Sequence, residues 1–370
     1  MRVTILKENL YKALSIASRN ISLRPQLPVL NNILLKTEGD GLILSSATME
    51  LGIVVKAGAK IEEEGETTVA GRLFTEYISQ LPSEKLTLSF DKDVLTAKTQ
   101  SASGSFTTLP AKDFPSFPVS GKNETVSIPL LAFQNGVIRT AFAASTDDGR
   151  PVLTGIRILA SNKGIGFYAT DGYRLSIEQI KTEKEVGGLD FIFPARILVE
   201  ILKIAQEEQV KDILFTSLGE KKQVIFSLGK VTVVTRLIEG DFPNIEKIIP
   251  TTFKTKVTVE AEKFLSSVKM CSLFARGSSN IVKIKIQKNG LRLSANTPQV
   301  GENVDEMDAA VEGEEMEIAF NYRFLLDLLN NFPDKEVLLE SSGPLNPGVF
   351  KPASGKENFL HIIMPVRLQG

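Results

Sequence analysis

Tryptophan is absent from this 370-residue chain, and histidine and cysteine occur once each, at His361 and Cys271. A single cysteine excludes an internal disulfide and any cysteine-based metal cluster. Cys271 recurs with Phe264, Val268 and Ala275 at helical spacing, which predicts a small core residue on a helix. A single histidine leaves no histidine-rich metal site and removes the usual base from Ser/His and Cys/His catalysis. His361 itself falls in Phe359-Leu360-His361-Ile362-Ile363, which reads as a strand. No run of about 18 apolar residues occurs, so nothing reads as a membrane-spanning helix. The N-terminus, Met1–Lys7, reads as a strand without an apolar signal core or a small-residue cleavage site. A reduced cysteine and no export signal point to a cytoplasmic protein. Recognition-helix motifs, zinc fingers and glycine-rich phosphate loops are also missing, which argues against sequence-specific DNA reading and against nucleotide hydrolysis.

What is present is a repeat. Each third of the chain opens with a strand and then an amphipathic helix, at 8–20, 130–145 and 261–276. In the first of these, Leu10, Leu14, Ile16 and Ala17 mark the apolar face. Strand pairs follow around the anchors Ser45–Thr48, Phe167–Thr170 and Leu293–Asn296. A second helix comes next, at 72–80, 195–206 and 322–331, with an arginine in its first turn each time. These are Arg72, Arg196 and Arg323, 124 and 127 residues apart. The segments Leu109–Pro115 and Leu237–Pro243 both end in Asp-Phe-Pro and read as linkers between copies. The units are therefore 1–120, 121–250 and 251–370, each of domain size. Strands outnumber helices, and Asp40-Gly41, Asp171-Gly172 and Asn289-Gly290 read as tight turns. This is an α+β chain with antiparallel sheet. Gly343–Asn358, rich in Gly, Pro and Ser, reads as a loop.

Charge is balanced overall, with a net of −1. The six predicted helices carry ten basic and five acidic side chains, a net of +5, which leaves −6 for strands and loops. Two readings fit: ordinary solvated helix faces, or a helix-lined surface for a polyanion held through salt-sensitive, sequence-independent contacts. Carboxylate chemistry by Asp171, or by Asp147-Asp148, is a third possibility. The repeat speaks against it, since Met49 stands at the Asp171 position of the first copy and no second acid is placed near it by spacing.

Several segments, in this order, resemble the bacterial sliding clamps, the β subunits of DNA polymerase III. They are Arg24–Leu30 (Arg-Pro-Gln-Leu-Pro-Val-Leu), Ala169–Leu175 (Ala-Thr-Asp-Gly-Tyr-Arg-Leu), Gly240–Pro243 and the C-terminal Met364–Leu368. The resemblance covers the whole chain. It implies three structurally repeated clamp domains in a head-to-tail homodimer, with helices lining a ring and antiparallel sheets outside. It further implies a DNA sliding clamp that is not an enzyme and needs no cofactor or metal. Such a processivity factor encircles double-stranded DNA without sequence preference. It tethers the polymerase III α subunit, the clamp loader, and repair or translesion polymerases through short peptide motifs. The alternative is a peptide-binding repeat protein that never meets DNA.

By position, the resemblance places a partner-peptide groove on Arg150, Leu153, Thr170, Gly172, Tyr173, Arg174 and Leu175. It adds Pro243, Lys247 and Ile248 from the second linker, and Ile362, Ile363, Met364, Pro365, Val366 and Arg367 from the tail. Met and Leu adapt to several peptides, glycine allows close backbone approach, and arginines can hold peptide polar groups. Tyr173 stands where some relatives have His, and Lys247 where Arg is common. The DNA-facing set is Arg24, Arg72, Arg139, Arg150, Arg196, Lys203, Lys12 and Arg276. The dimer interface falls on Phe106, Leu273 and Phe274, where the strand after Gly104 would pair with a partner strand. Acidic Glu302, Asp305 and Glu306 would then face Lys92 or Lys98.

Overall fold

The computed structural model describes residues 1–21, 27–118, 125–161, 164–181, 189–219, 222–277, 279–298, 300–355 and 358–367. Six α-helices occur among them: α1 (Lys7–Ala17), α2 (Gly71–Gln80), α3 (Leu130–Ala141), α4 (Ala195–Glu207), α5 (Ala261–Ala275) and α6 (Tyr322–Asn330). The helices arise where the apolar period is 3.6. Leu10, Ala13, Leu14, Ile16 and Ala17 form the buried face of α1, and Phe264, Val268, Cys271 and Ala275 lie on that of α5. No described helix is long and apolar enough to cross a membrane.

The chain divides into two compact units that do not follow the sequence thirds. The first comprises Met1–Leu130 and Glu200–Leu237. It holds one antiparallel sheet of thirteen strands. In spatial order these are β10 (Thr125–Pro129), β15 (Asp212–Leu218), β16 (Gln223–Leu228), β17 (Val231–Arg236), β4 (Leu51–Gly58), β3 (Gly41–Ala47), β2 (Asn32–Glu38), β6 (Glu66–Ala70), β9 (Ser103–Leu109), β8 (Val94–Lys98), β7 (Lys85–Asp91), β1 (Arg2–Leu6) and β5 (Lys60–Glu63). The second unit comprises Leu131–Val199 and Ile238–Gly370. Its larger sheet runs β14 (Leu189–Pro194), β11 (Gly155–Ser161), β12 (Gly164–Thr170), β13 (Arg174–Ile180), β26 (Phe359–Ile363), β25 (Gly348–Pro352), β24 (Glu336–Ser341), β18 (Thr255–Glu260) and β22 (Ala310–Gly313). A smaller sheet runs β21 (Gly301–Asp308), β20 (Gly290–Thr297), β19 (Ile281–Gln287) and β23 (Met316–Asn321).

Two ladders explain the division. The strand β17 pairs with β4, from Val231↔Val55 to Thr235↔Leu51. Likewise β13 pairs with β26, from Arg174↔Ile363 to Glu178↔Phe359. Half of the middle third therefore extends the sheet of the first third, and half extends that of the last. Main-chain pairing of this kind leaves no sequence signature, because the ladder uses backbone groups that every residue has.

Three local expectations change. At the first turn, Glu38 pairs with Gly41, so Gly39-Asp40 make the turn, with Gly39 at φ +58°. Gly41 instead begins β3, where a Cβ would lie 2.9 Å from the Ala57 carbonyl oxygen. Gly290 likewise begins β20, and the turn is Lys288-Asn289. The segment Gly343–Asn358 is not simply a loop. It contains β25, paired with both β24 and β26, and Val349 and Phe350 are fully buried. The apolar pair Val349-Phe350 and backbone pairing on both sides outweigh the flanking Gly and Pro.

Cys271 and His361 are both interior. The Cys271 thiol donates to Asn303 Oδ1 at 3.2 Å, and burial pushes its pKa up to about 11. His361 is fully buried on β26, 5.3 Å from the Phe142 ring and 6.5 Å from the Phe359 ring. Burial, and then the charge of Arg174, hold its pKa well below the usual histidine range. A neutral imidazole without a hydrogen-bond partner among the described residues is a packing group here.

Candidate partner-binding surface and nucleic-acid interface

The hairpin between β12 and β13 is built by Asp171. Its Oδ1 accepts from the backbone N–H of Tyr173 (2.8 Å) and of Arg174 (3.0 Å), as a short polar side chain does in a turn. Gly172 takes φ +94°, a value that favours glycine. The Thr170 hydroxyl donates to the Arg174 carbonyl at 2.6 Å and accepts from Gly172 N–H at 3.1 Å. These bonds push Tyr173 outward, to 62% exposure. The carbonyl of Tyr173 then accepts from Met364 N–H at 2.9 Å, which brings the tail alongside. Met364 is 41% exposed. Val366 N–H donates to the Ala319 carbonyl at 2.8 Å and anchors the tail further on. Arg150 reaches the same turn, with Nη2 3.5 Å from the Asp171 carbonyl.

Beneath this lies an apolar cluster of Tyr168, Leu175, Ile177, Ile245, Val349 and Ile362, with Phe242 and Ile249 packed against it. The hairpin, the linker after Gly240 and the tail therefore converge within the second unit. Exposed Lys247 and Ile248 sit beside Ile245 in the short helical turn Ile245–Lys247 and its cap. Tyr168, Ile177, Ile245 and Val349 were not anticipated. The signal that could have found them is period two: Leu175 and Ile177 share a face, as do Leu360 and Ile362.

The same period corrects the expected set. Arg174 pairs with Ile363, and Leu175 with Ile362, so the two pairs point to opposite faces of the sheet. Ile363 is fully buried in another core, with Phe320 and Phe350. Arg174 also turns inward. Its Nε donates to Asp171 Oδ2 (3.0 Å), Nη1 to Asp327 Oδ2 (2.6 Å) and Nη2 to the Phe142 carbonyl (2.5 Å). Its guanidinium lies 4.5 Å from the Phe324 ring centroid. Arg174 thus directs its nitrogens into the protein, and Ile363 packs in a different core from Leu175 and Ile362. Thr170 and Leu153 are buried, whereas Pro243, Pro365 and Val366 are half-buried and Arg367 is exposed.

The expected DNA-facing cations scatter similarly. Arg24 lies outside the described residues. Arg139 pairs at 2.8 Å with the buried carboxylate of Glu178 and is 13% exposed, so its charge is answered inside the protein. That removes it from the set. Lys12 pairs with Glu208 at 2.7 Å, and Lys203 lies 3.5 Å from Glu200. Arg19 bridges Glu200 and Glu207, which together raise its pKa despite burial. With the observed bounds, the helices hold nine basic and six acidic side chains, a net of +3 rather than +5. The difference arises because α1 gains Lys7 and α4 gains Glu207, while Arg19 and Arg276 fall outside their helices.

One pattern holds firmly. Arg72, Arg196 and Arg323 each occupy the second residue of α2, α4 and α6. A cation there opposes the helix dipole, by about 0.3–1 kcal/mol at the surface. All three are exposed. Arg72 Nη2 donates to the Ile21 carbonyl at 3.2 Å, and Arg323 lies 6.0 Å from the Tyr322 ring centroid. Arg276 is exposed, with Nε 3.4 Å from the Ser272 carbonyl of its own helix.

At the expected seam, Phe106 is nearly buried, edge-on to Phe74 (5.1 Å) and Tyr77 (5.2 Å). Its strand β9 pairs with β8 over 103–107, but with β6 only at Thr108 and Leu109. In the second unit, β21 pairs with β20 alone among the described residues. Leu273 on α5 is 59% exposed, and Phe274 contacts the start of β21, 3.5 Å from where a Cβ on Gly301 would lie. Asp305 accepts a hydrogen bond from Ser267 on α5 and so faces inward, not toward a lysine across a seam. Glu306 lies 3.7 Å from Arg292. Asp147 also has a local role, since its Oδ1 accepts from Gly149 N–H at 2.9 Å.

Comparison with known proteins gives a consistent result. Three family models match in chain order: DNA polymerase III beta subunit, N-terminal domain (residues 1–118), central domain (127–244) and C-terminal domain (246–367). The chain is 30% identical over 391 residues to the beta sliding clamp of Synechocystis sp., covering 100% of both chains. It is 28% identical over 379 residues to that of Staphylococcus aureus, covering 99% of each. Among solved structures, the DNA polymerase III β subunit of Thermotoga maritima superposes with a TM-score of 0.92 at 26% identity, covering 100% of both chains. The β chain of Streptococcus pneumoniae superposes at 0.95 and 25%, covering 99% of this chain and 100% of the other. With all three family models in order and a relative at 30% identity from end to end, the chain belongs to the bacterial sliding clamps, the β subunits of DNA polymerase III, and its function is that of a DNA sliding clamp.

Proposed function

We propose that this clamp acts in the cytoplasm as a head-to-tail homodimer, a ring that encloses duplex DNA and has no catalytic activity of its own. Each chain contributes three domains, at 1–120, 121–250 and 251–370. The matched family segments fall almost wholly within these limits. The observation that carries the ring is a pair of unfilled sheet edges, β9 over 103–107 and β21. An exposed edge is an aggregation hazard unless it is covered or paired. Pairing β9 of one copy with β21 of the next fills both edges, and two such contacts close a ring. Phe106, Leu273 and Phe274 then form the apolar part of the seam, and Glu302 is the acid placed to meet Lys92 or Lys98.

The DNA-facing cations are Arg72, Arg196 and Arg323, with Lys12, Lys203, Arg276 and Arg24. Basic residues at three equivalent helix starts, against the local dipole, support a purpose beyond helix stability. Lys12 and Lys203 already have acidic neighbours, so the grip on phosphate is light. That suits a ring which must move along DNA, since topology supplies the hold that contacts do not. The partner surface comprises Arg150, Gly172, Tyr173, Leu175, Pro243, Lys247, Ile248, Ile362, Met364, Pro365, Val366 and Arg367, over the apolar cluster. It accepts short peptides of the polymerase III α subunit, the clamp loader, and repair or translesion polymerases. An adaptable Met and an amphipathic Tyr at the rim fit several such peptides.

Primer extension tests this reading. On a primed single-stranded circle with polymerase III, clamp loader and ATP, adding the protein is expected to lengthen the product of each binding event more than about tenfold, because tethering raises the effective enzyme concentration at the primer. Unchanged product length contradicts a tethering role and favours a peptide-binding repeat protein that does not act on DNA.

A further inference from the structure

Arg174 has the partners of a structural latch. All three of its nitrogens donate: Nε to Asp171, Nη1 to Asp327 and Nη2 to the Phe142 carbonyl. Two of those partners lie outside the hairpin, at the end of α3 and on α6. Helix α6 contributes twice, because Phe324 and Asp327 are three residues apart and share a helical face. The Phe324 ring lies against the guanidinium, and the Asp327 carboxylate holds one edge of it. The turn that Arg174 closes carries Tyr173, whose carbonyl binds Met364 N–H. A continuous set of hydrogen bonds therefore runs from α6 through Arg174 and the hairpin to the tail. The Asp327 side chain is itself 45% exposed, and its carboxylate pairs with Arg174.

We propose that Asp327 is a positioning residue for partner binding, acting through Arg174 to hold the Tyr173 turn and Met364 in register. This rests on the partner surface proposed above. The physical basis is orientation. A guanidinium offers a planar fork, and its direction is set only when carboxylates grip it from fixed points. Asp171 lies on the same turn and moves with it. Asp327 is the carboxylate that ties the fork to a separate element. Without it, Arg174 keeps Asp171, the Phe142 carbonyl and the Phe324 ring but loses its one hydrogen bond to α6, so the direction of the fork relative to that helix is no longer fixed. The turn then samples orientations in which Tyr173 and Met364 no longer present one surface, and that ordering must be restored on binding.

The test uses the intact dimeric protein and the full-length polymerase III α subunit of the same organism, measured by surface plasmon resonance. Asp327→Ala is expected to weaken binding about tenfold. Arg174→Ala is expected to weaken it as much or more, and the double variant no more than Arg174→Ala alone, because both act through one contact. Asp327→Asn, which keeps an acceptor, should recover part of the loss. The unfolding midpoint of Asp327→Ala should stay within about 3 °C of the parent, since the carboxylate is half exposed. A second readout needs no partner. The chain has no tryptophan, so Tyr173→Trp installs a lone indole on the turn. Adding Asp327→Ala in that background should shift its emission and raise its quenching by acrylamide. Binding by Asp327→Ala equal to that of the parent overturns the inference and leaves the partner surface standing. Losses that add in the double variant also overturn it. If the parent does not bind the α subunit at all, the surface assignment falls and the inference falls with it. Should Arg174→Ala fail to fold, Asp327→Ala and the indole reporter decide alone.

Discussion

Removing Met364–Gly370 abolishes binding of the polymerase III α subunit while the protein stays dimeric. The strand β26 ends at Ile363, so the deletion spares its core residues Phe359, His361, Ile362 and Ile363. What goes is Met364, held over the Tyr173 carbonyl, and the anchor from Val366 N–H to the Ala319 carbonyl. Losing such a backbone bond costs about 0.5–1.5 kcal/mol, which a folded domain tolerates. Losing an exposed apolar anchor at the centre of a binding surface costs about 2–4 kcal/mol of affinity. The double substitution Tyr173→Ala with Met364→Ala should reproduce most of the loss, roughly a hundredfold or more in the dissociation constant. Titration of labelled α subunit, with light scattering on the same samples, checks both halves. Dissociation of the dimer by the deletion would show that the tail is structural.

The second large effect lies at the seam. Leu273→Asp is expected to turn the dimer into monomers at micromolar concentration. The side chain is mostly exposed in the single chain, so the substitution costs folding little. In a closed seam the same carboxylate would be stripped of water beside Phe274 and an incoming strand, which costs several kcal/mol per ion. Sedimentation velocity reads the outcome, with circular dichroism to confirm the fold. Phe106→Ala is a poorer test. That ring already packs on Phe74 and Tyr77, and truncating a buried phenylalanine costs about 3–5 kcal/mol of folding by itself. A Leu273→Asp protein that stays dimeric places the interface elsewhere.

The helices were legible because their apolar period is local, and so was the threefold repeat, because equivalent arginines fall at equivalent helix starts. The Asp171 turn was legible for the same reason, since its bonds reach only two or three residues. What escaped depends on partners far away in the chain. Glu178, which neutralises Arg139, is 39 residues from it, and Asp327, which holds Arg174, is 153 residues away. A sequence shows that a cation is present but not which way it faces. The tail shows a related limit. Ile362, Ile363 and Met364 are consecutive, yet a strand sends neighbours to opposite faces, so Ile362 joins the apolar cluster of Leu175 and Ile245 while Ile363 belongs to another core. The continuity of each sheet across the sequence thirds escaped as well, because backbone pairing is blind to side-chain identity.

The most direct measurement of the ring places the protein on nicked circular DNA with clamp loader and ATP, isolates the complex by gel filtration and then cuts the circle once. A topological clamp stays with the circle at salt concentrations that strip ordinary phosphate contacts, and leaves when ends are created. The expected result is therefore retention before the cut and loss within minutes after it. Protein that stays on linear DNA, or that salt removes from the intact circle, would contradict the account.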